Sequence, residues 1–292
     1  MVRPVVVVGD VVVDVLVRPV AQPLPGTDTA ARVRTEGGGG AANTAAWLAR
    51  LGVPVTLVAR IGDDAAGREQ DEALRRLGVR CALAVDPAAP TGTVVVLVGP
   101  DGERTMLTDR GANLRLAPAD LPELPAGGHL HLSGYPLLHD GSRPAALAAL
   151  RAARRAGLTV SVDPASTAPL AAAGPAEFIA WTRGADLLLP NLPEARLLSG
   201  REDPAQAARA LAADYGAVAI TLGPDGALWA RGGELVRVSS RPVEIVDSTG
   251  AGDAFCAGLL AAWLDGAGGR RALRPGIELA CRVLARLGAR PV

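Results

Sequence analysis

Short apolar runs alternate along the chain with longer segments rich in Ala, Leu and Arg. The apolar, mostly β-branched runs are predicted to be strands: Val5–Val8, Val11–Val17, Val55–Ala59, Thr93–Val98, Arg104–Thr108, Leu130–Ser133, Val160–Asp163, Leu187–Leu189, Val218–Leu222, Gly226–Ala230 and Leu235–Val238. The longer segments are predicted to be helices: Ala41–Leu51, Gly67–Leu77, Pro144–Ala156, Ala176–Arg183, Pro204–Tyr215, Gly252–Leu264 and Ile277–Leu287. This alternation predicts an α/β fold in which helices cover both faces of a mostly parallel sheet.

Two stretches interrupt the alternation, near residues 11–36 and 92–110, where Val and Thr alternate with Arg, Asp and Glu. Pro100-Asp101-Gly102 lies between the two strands of the second stretch and predicts a hairpin turn. These strands could form a small sheet outside the main one. Because no Ser/Gly-rich linker or repeat divides the chain, residues 1–292 are predicted to be one domain with an inserted sheet.

Charge and composition exclude several classes of function. The chain has 292 residues, and its 30 basic side chains balance its 30 acidic ones. A net charge of zero argues against a nucleic-acid or membrane-surface binder. Every basic residue is Arg, and the absence of Lys excludes a P-loop lysine, a protein-kinase ATP lysine and a Schiff-base lysine. Any phosphate chemistry must therefore depend on backbone N–H groups, Arg and metal.

Hydrophobicity and cysteine usage indicate a cytoplasmic protein. The apolar run Val5–Val8 is too short for the core of a signal peptide. The longest apolar stretch, Ala254–Leu264, is about half of a membrane span. Because Cys81, Cys256 and Cys281 are far apart and form no C-x-x-C, we expect neither a disulfide framework nor a zinc ribbon. They are expected to be small core residues.

The first segment that could carry chemistry is Glu36-Gly37-Gly38-Gly39-Gly40-Ala41-Ala42-Asn43, which leads directly into a predicted helix. Glycine lets a ligand approach the backbone, and a helix N-terminus offers N–H groups to an anion. The segment also meets the loose dinucleotide fingerprint, but a Rossmann loop should follow a buried strand, and Arg32–Glu36 is polar. A flexible turn is the alternative interpretation.

The strongest local signal is Asp247-Ser248-Thr249-Gly250-Ala251-Gly252-Asp253, which precedes an apolar helix. The small residues Gly250, Ala251 and Gly252 present successive N–H groups, which make an anion hole. Asp253 could simply stabilise the helix dipole, by about 0.3–1 kcal/mol. A carboxylate beside an anion hole is also what phosphoryl transfer to a hydroxyl needs, because it can take the hydroxyl proton while the hole holds the phosphoryl group.

A third group of candidates lies at the ends of two predicted strands. Asn191 and Glu194 follow one strand, and Thr221, Gly223 and Gly226 follow another. In open α/β sheets, ligands bind beyond the carboxyl ends of the strands. Asn191 and Glu194 could orient phosphate, water or Mg²⁺, or they could cap the next helix.

These segments, in this order, resemble the ribokinase-like (PfkB) carbohydrate kinase family over nearly the whole chain. The matched motifs are Gly39-Gly40-Ala41-Ala42-Asn43-Thr44-Ala45 with Gly52 and Gly62, Asp247 through Gly250-Ala251-Gly252-Asp253 to Ala257-Gly258-Leu259-Leu260, Gly9-Asp10-x-x-x-Asp14, Asn191-x-x-Glu194, Thr221-x-Gly223 and Gly111-Ala112-Asn113. Two long signatures with ordered minor motifs are specific for the family but not for a substrate.

The resemblance implies a ribokinase-like three-layer sandwich whose small sheet, from residues 11–36 and 92–110, acts as a lid. It implies ATP-dependent phosphorylation of a hydroxymethyl group of a sugar or sugar acid. The base and anion hole would be Asp253 with Gly250, Ala251 and Gly252. The acceptor would be held by Asp14, Gly38, Gly39 and Asn43. The phosphates and Mg²⁺ would face Asn191 and Glu194, and the nucleotide site would be lined by Thr221, Gly223 and Gly226. A monovalent cation such as K⁺ would bind near Asp247 and the Thr249 carbonyl.

Other functions stay open beside this one. A nucleoside could replace the sugar, although an aromatic content of 3% leaves few rings to stack on a base. The chain could bind a ligand on the same fold without catalysis, which the intact Asp253 argues against. A dinucleotide-dependent oxidoreductase would depend on the weak glycine fingerprint alone. Exposed lid edges could pair between two chains and make a homodimer.

Several further side chains have two interpretations each. Tyr135 stands where ribokinases place an acidic residue, so ribose specificity does not follow; it could stack on a ligand ring or fill the core. Arg104 and Arg110 bracket the predicted hairpin and could reach an acidic acceptor or be solvated. His129 and His131 share one face of a strand, and we expect core histidines because zinc needs three or four ligands.

Overall fold

The computed structural model of the protein describes residues 3–99 and 104–291 and contains two β-sheets. Elements are numbered in chain order. The large sheet has nine strands: β1 (Val5–Val8), β4 (Val55–Gly62), β5 (Arg80–Asp86), β8 (His129–Ser133), β9 (Thr159–Asp163), β10 (Leu187–Leu188), β11 (Val218–Thr221), β12 (Ala227–Arg231) and β13 (Glu234–Val238). Their order is β13-β12-β11-β10-β9-β8-β1-β4-β5, and all neighbours are parallel except β11–β12 and β12–β13. The prediction of a mostly parallel sheet is confirmed.

Helices cover both faces of this sheet, which makes three layers. They are α1 (Gly40–Arg50), α2 (Ala65–Arg76), α3 (Tyr135–Leu138), α4 (Arg143–Arg155), α5 (Thr167–Ala173), α6 (Pro175–Thr182), α7 (Leu192–Ser199), α8 (Pro204–Leu211), α9 (Ala251–Leu264) and α10 (Arg270–Leu284). Val5 and Val7 of β1 pack with α1, α9 and α10 in one core, whereas Val6 and Val8 pack with α4, α7 and α8 in the other. All four valines are buried because both faces of a parallel sheet are covered.

The small sheet lies outside this sandwich, as predicted. It contains β2 (Val12–Pro19), β3 (Ala31–Gly38), β6 (Gly92–Val98) and β7 (Arg104–Asp109), in the order β3-β2-β6-β7. Its buried residues form a separate apolar cluster: Val12, Leu16, Val94, Val96 and Val98. The predicted turn Pro100-Asp101-Gly102 lies outside the described residues.

Several elements differ from the sequence-based expectations. The ranges of strand β5 and of helices α3, α5 and α7 are not among the predicted ones. Helix α10 begins at Arg270 rather than Ile277, because Pro275 and Gly276 lie inside it instead of preceding it. Gly276 lets the two last helices touch, since a Cβ there would lie only 2.8 Å from the Phe255 carbonyl oxygen. In the described part of the chain, no helix combines the length and apolar character that crossing a bilayer requires.

Candidate active site

Two cavities meet at the N-terminus of α9. The larger one, of about 440 Å³, lies between the carboxyl ends of β1, β8 and β9 and the small sheet, and we call it the acidic pocket. Its polar lining includes Asp10, Asp14, Asn43, Ser133, Asp163 and Asp253. The smaller one, of about 180 Å³, is mostly apolar, and we call it the apolar pocket. Its lining includes Thr221, Gly223, Gly226, Ala251, Gly252, Phe255 and Ile277.

The loop before α9 separates the two pockets. Thr249, Gly250 and Asp253 face the acidic pocket, whereas Ala251 and Gly252 face the apolar one. No side chain caps the helix, and the first N–H groups of a helix have no partner inside it. The predicted anion hole therefore lies at the junction of the two cavities.

Gly250 and Gly252 differ in whether the structure could accommodate a side chain at their positions. Gly250 adopts φ +75°, and a Cβ there would lie 2.6 Å from the Ala289 Cβ, so backbone and packing both require glycine. A Cβ on Gly252 would meet no atom of the described chain within 4 Å. The space in front of Gly252 is therefore open to a ligand.

Asp253 lies in the first turn of α9, as predicted, and its Oδ2 accepts a 2.8 Å hydrogen bond from Nδ2 of Asn43. Burial raises the pKa of Asp253 to about 8; the Asn43 bond opposes this rise, and the negative charges of Asp163, Asp10 and Asp14 add to it. A carboxyl group with a pKa near the working pH is suited to exchange a proton with a bound hydroxyl.

Asp14 stands on β2 at the opposite wall of the acidic pocket and is 8% exposed. Burial raises its pKa to about 6, whereas the Arg290 guanidinium acts to lower it. No N–H or O–H from the described residues donates to its carboxylate. Gly39 lines the pocket, but Gly38 lies behind Asp14, where a Cβ would come within 2.4 Å of the carboxylate.

The Arg110 guanidinium contacts Asp10 and Tyr135, so it is not available to bind an acceptor. Its Nη1 lies 2.9 Å from Oδ2 of Asp10, and its Cζ lies 3.5 Å from the centre of the Tyr135 ring. Oδ1 of Asp10 accepts the Ala41 N–H at 3.2 Å, so the pair ties the end of β7 to the start of α1. One face of Tyr135 is thus covered by a cation. The side chain of Arg104 lies outside the described part of the chain.

Asn191 and Glu194 form a reciprocal cap at the start of α7. Glu194 accepts from the Asn191 backbone N–H at 2.9 Å and from its Nδ2 at 2.8 Å, and its own N–H donates to Asn191 Oδ1 at 2.9 Å. Glu194 is buried, and burial raises its pKa to about 8, with the charge of Asp163 adding to the rise. Neither residue lines the acidic or the apolar pocket. The capping geometry that the sequence left as an alternative is therefore present.

The Asp247 carboxylate accepts hydrogen bonds from two backbone N–H groups near the start of α9. Its Oδ1 accepts the Thr249 N–H at 2.8 Å, and its Oδ2 accepts the Gly288 N–H at 3.2 Å. Nη2 of Arg34, on β3, lies 3.5 Å from the same Oδ2. The carboxylate predicted to hold a monovalent cation therefore already has a guanidinium beside it.

Asp163 lines the acidic pocket and Arg290 donates a hydrogen bond to Asn43, and neither was among the predicted residues. Asp163 ends β9, lines the acidic pocket and accepts from the Cys256 thiol at 3.5 Å. Burial raises the pKa of Asp163 to about 6. Its place at the carboxyl end of a predicted strand could have identified it. Arg290 lies near the C-terminus, and nothing in the local pattern marks it.

The remaining candidates are structural. His129 contacts the hydroxyls of Thr159 and Ser161 at 2.9 and 2.7 Å, and His131 contacts Ser161 at 2.8 Å. Burial lowers the pKa of these histidines to about 3 and about 4. Among the described residues, no group of three or more His, Cys, Asp or Glu side chains could hold a metal ion. All three cysteines are buried, as expected for core residues.

Comparisons with known proteins agree with the motifs. The model of the pfkB family carbohydrate kinase matches residues 2–292. A fructokinase of Klebsiella pneumoniae is 36% identical over 263 residues, which cover 87% of this chain and 82% of the relative. An ATP-dependent ribose-1-phosphate kinase of Halopiger xanaduensis is 34% identical over 277 residues, 91% of this chain and 88% of the relative. The crystal structure of adenosine kinase from Sinorhizobium meliloti superposes with a TM-score of 0.90 at 27% identity and covers 100% of this chain and 97% of that one.

Proposed function

Because the chain belongs to the pfkB family of carbohydrate kinases, we propose that it transfers the γ-phosphate of ATP to a hydroxymethyl group of a neutral sugar. Family membership makes it a phosphotransferase that acts on a sugar hydroxyl. What we propose beyond family membership is that ATP is the phosphoryl donor, that the acceptor is a neutral sugar, and that individual residues have the roles given below. The fold supports it, since a three-layer sandwich with a small separate sheet is the ribokinase-like fold.

One observation carries the proposal: the N-terminus of α9 lies between an acidic pocket and an apolar one. Phosphoryl transfer needs two bound molecules that meet at one point, with N–H groups to hold the moving phosphoryl group. Gly250 and Asp253 stand at that point on the acidic side, and Gly252 stands there on the apolar side.

The charge of the acidic pocket favours a neutral acceptor. Its wall carries the carboxylates of Asp10, Asp14, Asp163 and Asp253. Among the described residues that line it, the one arginine is Arg110, and it is already paired with Asp10. Carboxylates accept hydrogen bonds from sugar hydroxyls and repel an acceptor carboxylate or phosphate. A fructokinase-like acceptor therefore fits better than a sugar acid or a sugar phosphate.

In the proposed reaction, Asp253 takes the proton of the acceptor hydroxyl. The hydroxyl oxygen forms a bond to the γ-phosphorus as the bond between that phosphorus and the β–γ bridging oxygen breaks, and ADP leaves. The N–H groups of Gly250, Ala251 and Gly252 stabilise the negative charge on the transferring group. Asp14, Gly39 and Asn43 hold the acceptor, and Gly38 gives Asp14 the space to lie against the strand.

The nucleotide would enter the apolar pocket beside Thr221, Gly223 and Gly226. Magnesium would be bound through water by Asn191 and Glu194, and when bound it would neutralise phosphate charge. The donor chemistry fits, because Mg²⁺ prefers carboxylate and water oxygens. Burial raises the pKa of Glu194 and the negative charge of Asp163 adds to the rise, so a cation bound nearby would relieve the repulsion between these two carboxylates.

The small sheet would act as a lid over the acceptor. Val94, Val96 and Met106 of the small sheet line the acidic pocket. An apolar cover of this kind excludes water and so limits hydrolysis of ATP. Strands β3 and β7 are the edges of the small sheet, and through one of them two chains could pair as a homodimer.

A monovalent cation at Asp247 and the Thr249 carbonyl would compete with a charge that the chain supplies itself. The Arg34 guanidinium lies 3.5 Å from the Asp247 carboxylate. We therefore expect K⁺ to stimulate this protein only modestly.

A nucleoside is the second candidate acceptor, favoured by the adenosine kinase of Sinorhizobium meliloti, which has the same fold over the whole chain. Against it, the Tyr135 ring that could stack on a base has one of its two faces covered by Arg110 at 3.5 Å.

The test is an ADP-release assay with ATP and Mg²⁺ against fructose, ribose, keto-sugar acids, ribose-1-phosphate and adenosine. We expect a neutral sugar to be the best acceptor and Asp253→Asn to lose activity by at least about 100-fold while still binding ATP. A best acceptor that is anionic would contradict the neutral-sugar proposal. Full activity of Asp253→Asn would contradict the role of Asp253 as base. ATP binding without transfer to any acceptor would favour a non-catalytic binding protein.

A further inference from the structure

The end of the chain returns to the acidic pocket after α10. The Trp47 indole N–H donates to the Ala289 carbonyl at 2.8 Å, and Ala289 packs against Gly250. Residues 288–290 are therefore held between α1 and the loop that begins α9. This brings Arg290 next to the site from a part of the sequence that carries none of the glycine-rich motifs.

Each of the three guanidinium nitrogens of Arg290 donates one hydrogen bond there. Nε donates to Asn43 Oδ1 at 3.0 Å, Nη2 to the Gly38 carbonyl at 2.7 Å, and Nη1 to Gln70 Oε1 at 2.7 Å. A Cβ on Gly37 would lie 2.2 Å from Nη1 and 2.6 Å from Cζ of this arginine. The glycine at position 37 thus makes room for Arg290 rather than for a ligand.

The hydrogen bond from Arg290 determines the orientation of the Asn43 side-chain amide. A guanidinium has donors only, so only the carbonyl oxygen of Asn43 can face Arg290. The amide NH₂ must then face Oδ2 of Asp253, and Nδ2 donates to it at 2.8 Å. The reversed amide would place one oxygen against a carboxylate and the NH₂ group against a cation, and both contacts would be repulsive.

We propose that Arg290 is a positioning residue for phosphoryl transfer, which acts through Asn43 to orient Asp253 and supplies positive charge behind Asp14. This inference rests on the proposed function. Among the described residues, the charged and titratable groups that face Asp253 or line the acidic pocket with it are Asp10 after β1, Asp14 on β2, Arg110 after β7, His131 on β8, Tyr135 at the start of α3, Asp163 on β9, Cys256 on α9 and Arg290 on the returning chain. Arg110 is paired with Asp10, so Arg290 supplies a second positive charge to a group that is otherwise mostly acidic.

The electrostatic response agrees with this role. Burial lowers the pKa of Arg290 to about 10, while the charges of Asp14 and Asp253 act to raise it. Burial raises the pKa of Asp14, and by the same attraction Arg290 opposes that rise. Loss of Arg290 should therefore raise the pKa of both carboxyl groups, directly for Asp14 and through a disordered Asn43 amide for Asp253.

The test compares Arg290→Gln and Arg290→Lys with the wild type and with Arg282→Gln, which removes an exposed arginine of α10. We expect Arg290→Gln to lower kcat/KM for the acceptor by about tenfold or more, as for a lost hydrogen bond to a charged group. The acidic limb of its pH profile should move upward, and its ATP affinity should stay unchanged. Arg290→Lys keeps the positive charge but lacks the planar guanidinium that donates to three partners. The acidic limb of its pH profile should therefore move upward by less than that of Arg290→Gln. Methylguanidinium should restore activity to Arg290→Ala.

A second measurement needs no turnover. The carboxyl ¹³C resonance of Asp253, assigned by its loss in Asp253→Asn, should titrate at a higher pH in Arg290→Gln than in the wild type. Inactive wild-type protein would count against the proposed function, whereas this titration would still decide the role of Arg290. Unshifted titration and an unshifted pH limb in a folded Arg290 variant would overturn the proposal. If Arg290→Gln does not fold, Arg290→Lys decides by the same two measurements.

Discussion

Nδ2 of Asn43 donates a 2.8 Å hydrogen bond to Oδ2 of Asp253 across 210 residues of sequence. The bond joins the first turns of α1 and α9, so the two glycine-rich segments meet at one carboxylate. An amide that donates to a carboxylate stabilises its charged form, which opposes the effect of burial on the pKa of Asp253. In the proposed reaction, the strength of this one hydrogen bond therefore affects the pH at which Asp253 can accept a proton.

The first prediction concerns the pH dependence of turnover. A general base must be unprotonated, so kcat/KM should rise with pH through the free-enzyme pKa of Asp253, about 8. Asn43→Ala removes the donor and should move the midpoint upward by about one pH unit, since a hydrogen bond to a charge is worth about 1.5 kcal/mol and one unit is about 1.4 kcal/mol.

The control for this profile is Asn113→Ala. Asn113 is also buried in a matched motif, but it bonds to the backbone of Val11 at 2.8 and 3.0 Å rather than to Asp253. It should lower stability and leave the midpoint in place. A wild-type midpoint near the ordinary Asp value of 3.8 would contradict the effect of burial.

The raised pKa of Asp253 also predicts how the free energy of unfolding depends on pH. The folded pKa of Asp253 lies above its unfolded value of 3.8, so its contribution is fully present below that pH and is lost as pH rises through about 8. Asp253→Asn should reduce the fall in the free energy of unfolding over this window by up to about 1.4 kcal/mol per pH unit. Urea unfolding at several pH values measures it, with Asp265→Asn at the exposed end of α9 as control. Parallel curves for wild type and Asp253→Asn would argue against a raised pKa.

Most of the fold followed from the sequence because its strands and helices differ in length and in residue type. The hydrophobic runs predicted β1, β8 and β9, and the glycines marked the starts of α1 and α9. The start of α10 was placed wrongly because Pro275 and Gly276 look like a helix boundary. Their place inside a helix depends on the close approach of Phe255, a tertiary contact that no local pattern encodes.

The candidate site was predictable where one segment carries its proposed residues and not where distant segments meet. Asp253 and its small-residue loop are contiguous, so their pattern was visible. Arg290 reaches Asn43 only because the chain returns between Trp47 and Gly250. The pairing of Arg110 with Asp10 depends in the same way on two segments 100 residues apart.

Gly250 and Gly252 make a matched pair for the next prediction. Gly250→Ala places a Cβ at φ +75° and 2.6 Å from Ala289, so it should lower the free energy of unfolding by roughly 2 kcal/mol or more. Gly252→Ala meets nothing within 4 Å among the described residues, so its thermal stability should match the wild type. Its methyl group would project towards the proposed phosphate position and should lower kcat/KM for ATP by about 10- to 100-fold.

Thermal unfolding and steady-state kinetics on the same preparations separate the two effects. A stable Gly252→Ala with unchanged ATP kinetics would show that the open space before α9 is not where the nucleotide phosphates bind.

The last prediction concerns Arg34 and Asp247. The guanidinium lies 3.5 Å from Oδ2 of a carboxylate that is 3% exposed, and its Nε also contacts Glu36 at 3.0 Å. With this charge in place, replacing K⁺ by tetramethylammonium should change wild-type kcat by less than about threefold, because the carboxylate is already partly neutralised. Arg34→Gln removes the charge and should make activity depend on K⁺, with a half-saturating concentration that can be titrated. Arg32→Gln, an exposed arginine on the same strand, is the matched control and should keep the wild-type response. Strong dependence of the wild type on K⁺, with no further effect of Arg34→Gln, would contradict the prediction that the Arg34 charge takes the place of the cation.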